Sequence, residues 1–416
     1  MLYLLANLRE CFGPLRLFEY VTFRSGGALI TSMLLVIFLG PWTIRRLKKF
    51  CVPKSARLEG LVAEQFVDHS KDKTPTMGGL LIIFSIVFST IFWGDLSNRM
   101  VLVFLLVLLP LTALGFYDDY IKVKYERSVR DGVSGKVKLL IQILVSFVAL
   151  YIIYKMPDTM TTKFLIPFFK DPICLKPAGE TIQFWLPPQL LPDPLFTFPA
   201  SWAFLAVGLI FLANILLVTF FSNAVNLTDG KDGLAAGCTI FCVLSFAAVA
   251  YVHGHTVFAK YLSVPYIPEL GEISVFASAM AGACIGFLWY NCKPAAVFMG
   301  DTGSLTIGGL IAVFAIIIHK ELLIPILCGV FLVENLSVIL QVKYFQRGKK
   351  KGVKQRIFKR SPIHDHFRTT LAQLDPNCTY LITRPHSVFH ESKITVRFWI
   401  VTIVLAAITI ITLKIR

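Results

Sequence analysis

Charge is scarce in this chain. Only 16% of its 416 residues are Asp, Glu, Lys or Arg, against 56% hydrophobic. A water-soluble domain cannot hide that much apolar surface, so the composition excludes a soluble fold and implies a polytopic membrane protein. Acid is scarcer still: 25 Asp and Glu stand against 41 Lys and Arg, a net charge of +16. The nine cysteines contain no CxxC pair, which removes the common zinc and thioredoxin-like spacings. Cys238 and Cys242 share a helix face and read as packing residues. No internal repeat is found, which counts against an inverted-repeat transporter. The opening MLYLLANLRE is too short in its apolar run, and lacks the small-residue site, for a cleaved signal. Residues 1–24 read as an interfacial segment on the outer face.

What is present is a series of long apolar runs. They predict an all-α protein of ten spans, at roughly 27–44, 77–94, 100–117, 137–155, 199–221, 233–252, 274–290, 303–319, 322–342 and 394–413, within one integral domain covering 1–416. Lys and Arg alternate from dense to sparse between the runs. The dense loops follow the first, third and ninth runs, and the positive-inside rule makes that side cytoplasmic. An even number of spans then puts both termini outside. The basic excess is explained by topology and anionic lipid, not by nucleic acid. The outer segment 156–198 is proline-rich and reads as a cap, with Thr181–Leu186 as one arm of a small hairpin. The segment 343–393 opens with KYFQRGKKKGVKQR, too polar to span, and is long enough to fold back over a site on the cytoplasmic face.

Three acidic, glycine-flanked clusters lie where apolar runs end or begin, all on that face: GFYDDYIKV, NAVNLTDGKDGLAAG and NCKPAAVFMGDTGSLTIGG. Carboxylates are costly near a bilayer, so acids at several span ends point to a site. Asp118 and Asp119 are adjacent, and neighbours on a helix diverge by about 100°, so both reach one point only where the helix frays. Asn223, Asn226 and Asp229 fall at i, i+3, i+6, on one helix face. They suit a nucleotide or sugar-phosphate, while Asp232 reads as the cap of the next helix. Asp301 opens a span, where free N–H groups draw anions. A carboxylate there caps the helix or holds Mg²⁺ against a phosphate. Pro362–Phe367 holds the only close histidine pair on this face, and without further ligands it suits phosphate contact better than zinc. In an extended segment His364 and His366 would point the same way, with Asp365 turned from them or hydrogen-bonding a ring N–H and fixing its orientation. His253, His255, His386 and His390 read as surface residues, and Glu334 and Asn335 as a buried hydrogen-bond network. Together these features describe metal-assisted phosphate chemistry fed by a lipid.

Thr74-Pro75-Thr76-Met77-Gly78-Gly79, the Asp118-Asp119 pair, NAVNLTDG, VFMGDTGSL and PIHDHF, in this order, resemble the phospho-N-acetylmuramoyl-pentapeptide transferases, a branch of the polyprenyl-phosphate N-acetylhexosamine-1-phosphate transferases. The resemblance runs from Thr74 through the last span. It implies Mg²⁺-dependent transfer of phospho-MurNAc-pentapeptide from UDP-MurNAc-pentapeptide to undecaprenyl phosphate, giving lipid I and UMP. The setting it implies is the cytoplasmic face of a bacterial inner membrane, in a homodimer. Carried over by motif, the catalytic residues are Asp118, Asp119, Asp301 and His364, with Asp301 the metal ligand. The substrate residues are Lys71, Thr76, Lys136, Asn223, Asn226, Asp229, Asn291, Phe298, Gln341 and His366.

Three positions depart from the family's usual pattern: Asp365 between the two histidines, Lys73 before TPTMGG, and Lys231 in NLTDGKDG. None removes an acid of the clusters. Two other functions remain open to the sequence: transfer of GlcNAc-1-phosphate to a polyprenyl phosphate, and a lipid or solute transporter. A transporter places polar groups near the midplane, whereas these acids sit at span ends.

Overall fold

The computed structural model describes residues 2–10, 12–49, 74–124, 132–155, 163–164, 173–178, 181–185, 193–199 and 202–413. Lys71 and Lys73 lie outside them. In lipid every backbone polar group must be satisfied within the chain, and the apolar runs accordingly become helices. In chain order these are α1 (Val21–Lys48), α2 (Gly79–Trp93), α3 (Arg99–Lys124) and α4 (Gly135–Lys155). After a small sheet come α5 (Ala203–Thr228), α6 (Leu234–Gly254), the short α7 (Thr256–Leu262), α8 (Leu270–Asn291) and α9 (Gly300–Ile317). The chain closes with α10 (Ile324–Leu327), α11 (Gly329–Lys350), α12 (Ile363–Arg368) and α13 (Glu391–Thr412).

Among the described residues, eight helices are long and apolar enough to cross a membrane, so this is a multi-pass, all-α membrane protein. Two of the ten expected spans take another form. The second, α2, has only 15 residues. The ninth is not one helix over 322–342: the chain breaks at Cys328 into α10 and α11. Pro325 sits in the first turn of α10, where its missing N–H costs nothing and marks a helix start, and Gly329 opens the next helix. α11 then runs on to Lys350, so the expected polar loop from 343 begins as helix.

Burial orders the helices. The apolar window of α9 is 89% buried and that of α8 78%, whereas those of α1 and α13 are 28% buried. α9 is therefore the central post, packed by α2, α3, α5 and α6. Phe104, Phe276, Phe314 and Phe246 stack around it. α1 lies along α8 through small residues, Ala28 and Ser32 against Ala279 and Gly282, which let the backbones approach closely. Near one end of this pair Arg24, 2% exposed, donates to Glu272 through both terminal nitrogens, one at 2.7 Å.

Strands β1 (Lys163–Phe164), β2 (Ile173–Ala178), β3 (Thr181–Trp185) and β4 (Phe196–Pro199) form one antiparallel sheet in sequence order. The expected hairpin arm is β3, paired on both sides. Near the C-terminus β5 (Gln355–Phe358) and β6 (Thr379–Ile382) pair in parallel.

Candidate active site

The N-terminus of α9 is the meeting point of the sequence clusters. Two motif loops join here by backbone bonds: Phe298 N–H donates to the Pro75 carbonyl, and Gly78 and Gly79 N–H donate to the Phe298 and Met299 carbonyls, each at 2.8 Å. Gly300 then enters the helix at φ +75°, a left-handed conformation that disfavours any side chain. A Cβ there would stand 2.6 Å from an Asp119 oxygen. That closeness brings the carboxylate onto the helix end. Asp119 accepts from Thr302 N–H at 3.0 Å, Thr302 O–H at 2.7 Å and Asp301 N–H at 3.3 Å. The cap of α9 thus comes from another helix, and Asp301, which capping alone would explain, is released for other contacts.

Asp301 uses both oxygens. Oδ1 accepts from Asn226 Nδ2 at 2.8 Å, and Asn226 also donates to Ser304. Oδ2 accepts from Lys138 at 2.8 Å and Lys122 at 3.1 Å. The same two ammonium groups lie 2.6 and 2.7 Å from Asp118 Oδ2, while Asp118 Oδ1 accepts from Val133 N–H at 2.7 Å. Asp118 is fully buried and Asp119 is 5% exposed. Ligand oxygens of Asp118, Asp119 and Asp301 all lie within 4.8 Å of one another.

This convergence corrects one expectation: α3 does not fray at the acid pair but runs on to Lys124. The two carboxylates diverge around α3 and meet again because α9's N-terminus lies between their ends. The donor set, three carboxylates and no sulfur or imidazole, fits a hard divalent cation such as Mg²⁺. The two lysines balance part of the same charge.

The lysine nearest the acids differs from the one the motif pointed to. Lys136 is exposed at the start of α4, while Lys138, two residues on, reaches the carboxylates with Lys122. Asn223 donates to Gln142 at 2.9 Å and to the Thr219 carbonyl at 2.8 Å. Asp229 forms the C-cap of α5. Asp232 is not the cap of α6: that position is Gly233 at φ +71°, and Asp232 accepts from Ala295 N–H instead. Asn291 is spent on structure, accepting from Gly233 N–H at 3.0 Å and donating to the Val297 carbonyl at 2.8 Å. Phe298 and Thr76 are half-buried beside the zipped loops. Gln341 faces the β5 backbone, donating to the Phe358 carbonyl at 3.1 Å and accepting from Ile357 and Phe358 N–H at 3.0 and 2.9 Å.

The histidine segment folds back over the α5–α6 turn, as its length allowed, but as a helix and not as an extended run. Alternate residues on a helix diverge, so the two histidines part. His364 gives its Nδ1 proton to Glu334 at 3.1 Å, and Glu334 also accepts its backbone N–H. The other ring nitrogen faces Gly230 so closely that a Cβ there would lie 2.6 Å away. His366 is a structural pin. Its Nδ1 accepts from Lys359 N–H at 3.1 Å and its Nε2 donates to the Arg384 carbonyl at 2.7 Å. Burial lowers its pKa, in keeping with this neutral form. Asp365 meets Lys231 at 2.7 Å and Arg360 at 3.2 Å, so two departures from the family pattern touch each other. Burial alone would raise the Asp365 carboxyl, but Lys231, His364 and Arg360 outweigh it and hold the group at about 2. His253 is buried rather than on the surface, its ring donating to the Pro265 carbonyl.

Comparisons with known proteins agree with the motifs. Residues 101–319 match the model of glycosyl transferase family 4, and residues 71–83 match the phospho-N-acetylmuramoyl-pentapeptide-transferase signature 1. A phospho-N-acetylmuramoyl-pentapeptide-transferase of Phocaeicola vulgatus is 48% identical, with all of both chains covered. One from Bacteroides thetaiotaomicron is 46% identical over 96% of each chain. One from Koribacter versatilis is 40% identical over 100% of this chain and 99% of its own.

Proposed function

The chain belongs to the phospho-N-acetylmuramoyl-pentapeptide-transferase family, and on that premise we propose that it transfers phospho-MurNAc-pentapeptide from UDP-MurNAc-pentapeptide to undecaprenyl phosphate, releasing UMP and forming lipid I. The observation that carries the reading is the convergence of Asp118, Asp119 and Asp301 at the end of buried helices, braced by Lys122 and Lys138. Such a set binds pyrophosphate through a cation and presents ammonium groups to the remaining oxygens. The reading places the site at the cytoplasmic face of a bacterial inner membrane, with both termini outside and two copies in a homodimer.

In this mechanism an oxygen of the lipid phosphate attacks the β-phosphorus of the UDP-sugar. A new P–O bond forms, the bond to the UMP oxygen breaks, and UMP leaves with the electron pair. Asp301, with Asp118 and Asp119, would hold Mg²⁺, which when bound would neutralise charge on the pyrophosphate. Lys122 and Lys138 offer their ammonium groups to phosphate oxygens of both substrates. Asn226 fixes the Asp301 carboxylate by its 2.8 Å bond. Asn223, Asp229 and Phe298 border the nucleotide-sugar, and Thr76 and Lys71 the phosphates. His364, with Nδ1 committed to Glu334, presents Nε2 at the Asp229–Gly230 turn.

Direct attack is favoured over a covalent aspartyl intermediate. Asp119 accepts three hydrogen bonds and Asp118 faces two ammonium groups, and each contact draws electron density from a would-be nucleophile. A phosphate monoester, with its second pKa near 6, is already a dianion at neutral pH.

The test is incorporation of radiolabelled UDP-MurNAc-pentapeptide into lipid by purified protein, with UDP-GlcNAc in parallel, with and without EDTA. UMP release from the muramoyl donor alone, abolished by EDTA and restored by Mg²⁺, is expected. Release from UDP-GlcNAc alone would move the reading to the sister reaction, and lipid movement without UMP would make it a transporter.

A further inference from the structure

α12 has six residues, far too few to be stable alone, so its position is dictated by what holds it. Ile363 and Phe367, one turn apart, look into an apolar cavity of about 430 Å³ shared with Val333, Phe398 and Val401. Close packing therefore does not fix that side; beside one backbone bond, Phe389 N–H to the Phe367 carbonyl at 3.1 Å, there are looser ring contacts, Phe367 to Phe389 and Phe398 at 6.0 and 6.4 Å. The fixing is largely polar: the His366 ring is pinned by Lys359 N–H and the Arg384 carbonyl, and two further contacts face the α5–α6 turn and α11. Glu334 takes the ring and backbone of His364. Asp365, the next residue, takes Lys231 at 2.7 Å and Arg360 at 3.2 Å.

Lys231 directly follows the turn that His364 touches, and it is 8% exposed. Both ends of this ion pair are thus neighbours in sequence of both ends of the His364–Gly230 contact. The pair ties two segments 134 residues apart at the place where α12 meets the nucleotide-sugar turn. Buried pairs add little net stability relative to apolar packing, yet they fix one geometry, because breaking either half strands a charge.

We propose that Lys231 and Asp365 form a positioning latch that sets the His364 ring against the Asp229–Gly230 turn, and that they act on transfer only through that ring. The proposal rests on the transferase reading for its kinetic arm. Lys231, His364 and Arg360 hold the Asp365 carboxyl low against burial, while burial lowers the Lys231 ammonium, so the latch is defined by its 2.7 Å geometry.

The experiment is a double-mutant cycle on the full chain in detergent, with Lys231→Met, Asp365→Asn and both together. Each single change should lower turnover on the order of tenfold to a hundredfold, the scale of a misplaced active-site group. The pair should cost no more than the worse single change, as expected for two halves of one contact. Lys231→Arg should retain most of the turnover. In a His364→Ala background, Asp365→Asn should cost under about twofold, since the latch then has nothing to position. Costs that multiply, or an equal loss in both backgrounds, would overturn the latch. A second arm needs no substrate: amide hydrogen exchange over 229–233 should quicken alike in both single variants and the double. Unchanged exchange there would sink the latch, whereas quickened exchange in a chain inactive toward UDP-MurNAc-pentapeptide would sink only the transferase reading.

Discussion

Two of the buried charge clusters among the described residues are built on opposite plans. Arg24 and Glu272 pair one to one between α1 and α8, through two nitrogens and two oxygens. Asp95 N–H adds a third donor to Glu272 at 3.0 Å. Every charge there has its partner, and the result is a rivet. Around the α9 N-terminus, three carboxylates share two ammonium groups. Acids crowd acids, and the cluster as drawn keeps an excess of negative charge in a buried place. A fold seeking only stability would not assemble it, since like charges at short range oppose burial. The lesson is that charge buried without a matching partner marks chemistry, while charge buried in matched pairs marks architecture.

The sharpest way to break the contrast is Asp301→Asn, which leaves shape and removes charge from the unmatched cluster. Turnover should fall about a thousandfold or more, the upper range for losing one electrostatic stabiliser. The variant should still melt in detergent near the wild-type temperature. Substantial turnover would take Asp301 out of the chemistry. The mirror experiment is Arg24→Met. It strands the Glu272 carboxylate and should cost about 3 kcal/mol of stability, with turnover per folded molecule unchanged. A loss of turnover with no loss of stability would end the rivet interpretation.

Lys138→Met should lower turnover on the order of tenfold to a hundredfold. Lys136→Met, two residues away and exposed, should stay within about twofold, a surface-level effect. Equal losses at both positions would mean that Lys138's contacts with Asp118 and Asp301 are not what turnover needs.

The smallest effect concerns His366. Its folded pKa is lowered by burial, so its contribution is complete above the unfolded value of about 6.5 and fades as pH falls below it. Protection against hydrogen exchange over 355–368, corrected for the intrinsic rate at each pH, should therefore fall below about pH 6. His366→Gln should remove that acid sensitivity.

The spans and the three acidic clusters were legible because both signals are local. An apolar run and an acid at its end need no knowledge of what lies across the molecule. Contacts between distant segments were not legible. Nothing near Asp119 in sequence says that it caps α9, 182 residues away. Lys138 rather than Lys136 reaches the acids because of the phase of α4, and phase cannot be read where a helix start is unknown. Asn291 and Gln341 look like ligand-binding amides in sequence, yet both turn inward to hold backbone. The helix over 363–368 was missed because six residues carry too little periodicity, and an extended reading sent both histidines to one side. A cue was present all the same: Lys231 and Asp365 are opposite charges, and each stands where the motif departs from the family's usual pattern.

The Asp119 cap bears on inhibitor design. In many phosphate-handling proteins a helix N-terminus is the berth for the ligand's phosphate. Here that berth is already filled by the chain's own carboxylate, tethered in place. A tethered group competes at an effective concentration that can reach about 10⁵ M or more when well oriented. A compound carrying a phosphate mimic aimed at the α9 N–H groups would have to displace it, and no attainable dose approaches that figure.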